Sequence, residues 1–236
     1  QPGVPSPEEE AEADEDREED LEEERHRRRN RGPTDEELDA NNMFGDPEQD
    51  ARRRDFTING LFYDPVQDEV HDFVGGRDDL VRGVVRAIGD ADARFREDRL
   101  RILRAPRFAA ALGFRLDPAT AQAGRVHAPE VPTCVAPERV HVELQKILTP
   151  PTRARGLALC EEIGVLEHVL PEARVDLPRA LRALAALPPD AEVDAAWAVL
   201  LHLAGPAAAE VALTRLRASN QQRDRVRATL ESLALA

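Results

Sequence analysis

ARRRDFTINGLFYD, residues 51–64, sets three arginines beside an aspartate and then turns apolar. Just before it, Asp46-Pro47 is a helix start, because proline is tolerated in a first turn and Glu48 and Asp50 sit favourably at the positive helix end. The spacing predicts a helix from there to about Gly60. Beyond it, LFYD and EVHDFV read as short strands joined by the polar turn Pro65 to Asp68. Gly75-Gly76 breaks the chain, GRDDL suffices for one helical turn, and VVRAI reads as another strand. From about Ala91 the apolar periodicity is helical, with helices predicted over 92–112, 117–125, 137–148, 152–163, 178–187, 191–204, 206–218 and 221–235. Thr152 and Asn220 are the predicted N-caps, and Pro178 falls in a first turn. The fold class is α+β, mostly α: a small α/β piece followed by an all-helical array.

The formal net charge of −14 over 236 residues is unevenly spread. Residues 1–40 carry about −11 of it, leaving about −3 for the rest, which is rich in arginine. That first segment offers almost no apolar surface to offset ordering entropy and is predicted to be a disordered tail or loop. Cys134 and Cys160 lie far apart, fit neither a disulfide framework nor a metal knuckle, and suit a reducing cytoplasm. There is no secretory apolar region, and the weakly apolar run Ala195–Leu213, interrupted by His202 and Gly205-Pro206, falls short of a membrane span. The six histidines show no HExxH spacing, and neither a GxGxxG nor a P-loop pattern occurs. Oligomeric state is left open.

Three stretches carry candidate chemistry. Arg52, Arg53 and Arg54 with Asp55 form either an anion cradle, whose guanidinium forks match phosphate oxygens while the carboxylate accepts a ribose hydroxyl, or a solvated basic face with Asp55 as its own ion-pair partner. In EDRLRILRAPRFAA, residues 97–110, helical spacing puts Asp98, Arg101 and roughly Arg104 along one face, with Leu100, Leu103 and Phe108 pointing elsewhere. An acceptor three residues from a donor matches adenine and cytosine, which pair an amino donor with a ring-nitrogen acceptor, and mismatches guanine and uracil. The alternative is an exposed ion pair on a helix. In DFVGGRDDL, residues 72–80, the double glycine suits a hinge or close backbone approach, or else an ordinary loop.

Taken in series, FGDPEQDARRRDFTING, DFVGGRDDL, RAIGDADARFREDRLRILRAPRFAAALGFRL and PERVHVELQKIL resemble the bacterial poly(A) polymerase and CCA-adding tRNA nucleotidyltransferase family over about Met43 to Leu148. The resemblance implies a partial nucleotidyltransferase α/β head (41–91), a helical neck that binds nucleobase and RNA (92–150) and a helical body (151–236). It implies that Arg53, Arg54 and Asp55, with Asn59 in the same motif, hold the triphosphate and ribose of an incoming nucleotide. Asp72 to Asp79 would join head and neck. Asp98 and Arg101 would read the base, supported by Arg104 and Arg107, and Glu138–Leu148 would be a mainly structural neck helix. The implied reaction is attack of an RNA 3′-hydroxyl, of mRNA or tRNA, on a nucleoside triphosphate such as ATP, releasing pyrophosphate with the help of Mg²⁺.

The departures matter as much. The family pattern has proline where Arg99 stands and an aliphatic residue where Pro106 stands. A proline inside a helix removes a backbone hydrogen bond, at about 3 kcal/mol if unrelieved, so Pro106 is expected to disturb the register of Arg104 and Arg107. Nothing in residues 1–42 resembles the metal-binding carboxylates or glycine-rich strand-turn that the family places upstream of RRRDFT. The chain is therefore expected to lack part of the catalytic head, to leave Mg²⁺ to that part, and to be inactive alone. NMFG, the charged insert before it and NGLFYD favour the poly(A) polymerase type, whereas PERVHVELQKIL leans towards CCA addition. A non-catalytic RNA-binding remnant and an all-α scaffold with an acidic tail are the alternatives.

Overall fold

The computed structural model describes residues 46–234, with side chains to Leu233. The segment expected to be a tail or loop lies outside the described residues.

Helix α1, Pro47–Arg53, starts as its sequence dictates: the Asp46 carboxylate accepts from the Glu48 amide at 3.3 Å. It stops at Arg53 rather than running on to Gly60. Arg54 is extended (φ −70°, ψ 170°), and Phe56, fully buried, makes an antiparallel bridge to Ala87. Burying Phe56 against the next segment outcompetes another helical turn. After a 3₁₀ turn at Thr57–Asn59, β1 (Leu61–Asp64) and β2 (Glu69–Asp72) form the expected antiparallel hairpin, with Leu61 opposite Asp72 and Asp64 opposite Glu69. The Asp64 carboxylate accepts from the Val66 and Gln67 amides to shape the turn.

The double-glycine stretch is a close approach. Asp72 accepts from the amides of Val74, Gly75, Gly76 and Arg77 at 2.8–3.1 Å. Burial opposes its ionisation, but these four donors hold its carboxyl below the usual carboxylate range. A side chain at Gly76 would place its Cβ 2.3 Å from the Thr57 carbonyl oxygen. Helix α2 (Gly76–Arg82) is longer than the single turn expected. Its buried Asp79 accepts from the Thr57 hydroxyl at 2.7 Å and pairs with Arg86 at 3.0 Å. Of the expected VVRAI strand only β3, Val84–Val85, forms, pairing in parallel with β4, Arg115–Leu116.

The helix expected over 92–112 is two helices, α3 (Ala91–Glu97) and α4 (Arg101–Leu112). Asp98 ends α3 in an extended conformation (φ −148°, ψ 105°) and uses its carboxylate to accept from the Leu100 amide at 3.0 Å. This is the short-range competition with helix that aspartate offers. Pro106, by contrast, does not break α4, which continues through it to Leu112. The proline is buried within the helix. Then follow α5 (Pro118–His127), α6 (Val131–Cys134), α7 (Pro137–Leu148), α8 (Arg153–Glu162), α9 (Leu166–Val169), α10 (Leu177–Ala186), α11 (Val193–Leu201), α12 (Pro206–Arg215) and α13 (Asn220–Ala234). Two expected caps differ. Thr152 makes no side-chain capping bond, and Ser219 rather than Asn220 caps α13, its hydroxyl accepting from the Gln222 amide at 3.2 Å.

One large core, including Leu103, Leu144, Leu148, Leu157, Leu166 and Trp197, joins the helices. A smaller cluster of Phe56, Val85, Ala105 and Ala109 underlies the arginine-rich segment and fastens the α/β piece to α4. Among the described residues no helix is long and apolar enough to cross a membrane. Cys134 and Cys160 are both free thiols, and burial pushes the Cys160 thiol up.

Candidate functional site

A cleft of about 460 Å³ opens where the end of α1 meets the start of α4. Seven of the eight residues expected at the site line it: Arg53, Arg54, Asp55, Asn59, Asp98, Arg101 and Arg104. The eighth, Arg107, lies outside. Its guanidinium pairs with Glu143, whose side chain is 2% exposed, and lies 4.1 Å over the Phe108 ring. Arg107 thus braces α4 to α7.

Two guanidinium groups bring the distant motifs together. Arg94 donates to the Arg52 carbonyl and Arg101 to the Arg53 carbonyl at 3.2 Å. Both oxygens belong to the C-terminal end of α1, where the helix leaves carbonyls unpaired and favours cations. The base of the arginine run is thereby tied to the α3–α4 junction. The Arg53 and Arg54 side chains themselves reach outward, 64% and 44% exposed, with Asp50 as their shared partner at 3.6 and 3.0 Å. Arg54 also donates to the Asn59 carbonyl at 3.0 Å and lies 4.8 Å over the Phe62 ring.

Asp55 is not the ion-pair partner of its own arginine run. It is buried, pairs with Arg104 at 2.7 Å, and accepts from the Asn59 side chain at 2.8 Å and the Phe56 amide at 2.9 Å. Burial raises its proton affinity, but the bond from Asn59 and the charge of Arg104 prevail and hold the carboxyl below its ordinary value. Asp55 therefore fixes Arg104 and Asn59 at the cleft wall.

Asp98 and Arg101 stand on either side of the break rather than on one helix face. The second Asp98 oxygen accepts from Arg139 of α7 at 2.9 Å. Arg101 donates to Glu97 at 2.7 Å and to the Arg94 carbonyl at 3.0 Å, leaving its Nε without a partner among the described residues. A carboxylate has about four acceptor positions and a guanidinium five donors, so both groups keep capacity that faces the cleft.

Three lining residues escaped the sequence reading: Leu100, Phe108 and Arg139. Leu100 and Phe108 were expected to point elsewhere. Phe108 is four residues beyond Arg104 on α4 and so shares its face, a signal the helical spacing did contain. Arg139 follows Asp98 by 41 positions, and only the packing of α7 brings it there. Five arginines face two aspartates across this cleft, which favours an anionic ligand with one hydrogen-bonding edge. Among the described residues no three His, Cys, Asp or Glu side chains gather as a metal site.

Two family models match the chain. The poly A polymerase head domain matches residues 8–86, and the probable RNA- and SrmB-binding site of polymerase A matches residues 113–177. The chain belongs to the family of poly(A) polymerases and CCA-adding nucleotidyltransferases. It is 36% identical over 187 residues to the CCA-adding enzyme of Geobacillus stearothermophilus, covering 79% of this chain and 46% of that protein. Over 81 residues it is 56% identical to poly(A) polymerase I of Escherichia coli O6:H1, covering 34% of this chain and 17% of that protein. The crystal structure of the Bacillus stearothermophilus CCA-adding enzyme in complex with CTP superposes with a TM-score of 0.70 at 35% identity, over 81% of this chain and 48% of that one. A CCA-adding enzyme solved with ATP superposes at 0.59 with 25% identity, over 80% and 48%. The chain thus spans about half the length of the CCA-adding relatives it matches.

Proposed function

We propose that this chain forms the nucleotide-binding side of a template-independent RNA nucleotidyltransferase, which adds nucleotides from a triphosphate to an RNA 3′-hydroxyl and releases pyrophosphate. The observation that carries the reading is the single cleft that unites Arg53 and Arg54 with Asp98 and Arg101. In it the outward guanidinium groups of Arg53 and Arg54 take the triphosphate. Asp55 and Asn59 shape the wall beside the ribose. Asp98 accepts from the exocyclic amino group of the base while Arg101 donates to the adjacent ring nitrogen, a polarity that admits adenine and cytosine and opposes guanine and uracil. Arg104 supports this edge, and Arg107 acts through Glu143 on the position of α4. Mg²⁺ would be held outside the described residues.

Poly(A)-type addition, with ATP as substrate, is the first reading, favoured by the 56% identity to poly(A) polymerase I. CCA addition to tRNA is the second, favoured by likeness to CCA-adding enzymes over four-fifths of the chain and by neighbours solved with CTP and ATP. Photocrosslinking with 8-azido-ATP, followed by peptide mapping, tests the site. Label is expected in peptides spanning 51–59 and 98–108, competed by ATP and not by GTP. CTP is expected to compete as ATP does, since the edge admits both bases, and label scattered over the helical body would remove the site assignment.

A further inference from the structure

We infer that Arg99 is a positioning residue that sets the Asp98–Arg101 edge, doing with its side chain what a proline ring would do with the backbone. The inference rests on the base-reading role proposed above for that edge. The three-residue linker Asp98–Arg99–Leu100 between α3 and α4 determines how far apart, and at what angle, the carboxylate and the guanidinium stand. Two features of its backbone suit proline. Asp98 is extended, the conformation that a following proline demands, and the Arg99 amide donates to no group among the described residues. A proline here would lose no hydrogen bond and would restrict the linker in the unfolded chain as well.

With arginine in that place φ is free, and something else must hold the linker. The Arg99 side chain is only 13% exposed. Its Nη1 donates back to the Phe95 carbonyl at 2.6 Å, and its Nε donates to Glu130 at 2.8 Å. Glu130 in turn meets Nδ1 of the buried His127 at 3.2 Å, and His127 Nε2 meets Asp92 of α3 at 2.7 Å. The chain of contacts leaves α3 at Asp92, crosses to the end of α5, and returns through Arg99 to the linker. It is a closed brace around the junction that carries the edge. Neither Arg99 nor Glu130 lines the cleft, so their effect on a ligand would pass through Asp98 and Arg101 alone.

The experiment pairs hydrogen–deuterium exchange with nucleotide binding for the wild-type chain, Arg99→Ala, Arg99→Pro and Glu130→Gln. In Arg99→Ala, amide exchange across residues 98–103 is expected to rise about tenfold while α11–α13 stay unchanged, and Arg99→Pro is expected to restore wild-type exchange. Glu130→Gln is expected to fall between them. Exchange in the linker that is insensitive to Arg99→Ala, or a rise spread evenly over the whole chain, would overturn the brace. Binding of ATP against GTP supplies the second readout: Arg99→Ala is expected to lose about tenfold in preference, Arg99→Pro to keep it, and inorganic tripolyphosphate to bind all variants equally. A wild-type chain without any preference would refute the base-reading role, and the exchange data would still decide the brace.

Discussion

Asp55 shows how one buried carboxylate sets an arginine in place. It carries an ion pair to Arg104 and two further hydrogen bonds, so truncating it leaves a partly buried guanidinium and the Asn59 amide without their acceptor. Asp55→Ala is expected to lower stability by about 2 kcal/mol in urea titrations, and a change within the scatter of surface substitutions would contradict this. Because Asp55 has a depressed folded value, its contribution is present above the ordinary carboxylate range and is lost as pH falls through and below it. His141 has the same sign in a higher window. Burial against Trp197, with ring centroids 5.7 Å apart, holds the imidazole below its usual value despite Asp194 nearby. Below about pH 6.5 the unfolded chain takes up a proton that the folded one resists, so stability falls. Replacing His141 by Asn is expected to flatten the decline of the urea midpoint between pH 8 and pH 5.5. An unchanged slope would mean that the imidazole titrates alike in both states.

At the scale of elements, the contrast between two adjacent glycines is the sharpest. Gly75 has φ +80° and open space around a would-be Cβ, so Gly75→Ala pays only conformational strain, about 1 kcal/mol. Gly76 faces the Thr57 backbone oxygen at 2.3 Å, and backbone cannot swing aside. Gly76→Ala is expected to cost about 2–3 kcal/mol, as overpacking does, and to shift the hairpin away from the arginine run. Thermal melts of the two variants side by side would show it, and equal melting points would contradict it. The same scale shows what was legible in the chain. Helices α7 and α12 begin as expected because Pro137 and Pro206 mark their first turns locally. The turn between β1 and β2 was equally local. The break at Asp98 was not, since apolar periodicity runs on through it and the competing bond is one side chain to one amide. The end of α1 was hidden for a different reason, because Phe56 leaves the helix for a partner 31 positions away. Arg139 is the site's counterpart: a residue type and spacing can nominate Asp98 and Arg101, but only tertiary packing supplies the third member.

For the whole molecule, the balance of charge sets long-range attraction to nucleic acid. The acidic first 40 residues carry about −11 and are expected to compete electrostatically with the phosphates of an RNA. Removing them is expected to tighten binding of a single-stranded RNA at low salt and to matter less as salt screens the field. Equal affinities at low ionic strength would exclude that competition. The cleft asks a more pointed question, because phosphate carries no base identity and a base edge does. The decisive measurement is equilibrium binding of ATP, CTP, GTP and UTP to the wild-type chain, Asp98→Ala, Arg101→Ala and Arg54→Ala, with melts to confirm folding. Asp98→Ala and Arg101→Ala should erode the preference for ATP and CTP by about tenfold to a hundredfold, since each leaves its partner unsatisfied. Arg54→Ala should weaken all four nucleotides alike. If instead the two edge variants lose affinity uniformly while Arg54→Ala changes which base is preferred, the assignment of the cleft is reversed and the proposed base reading fails.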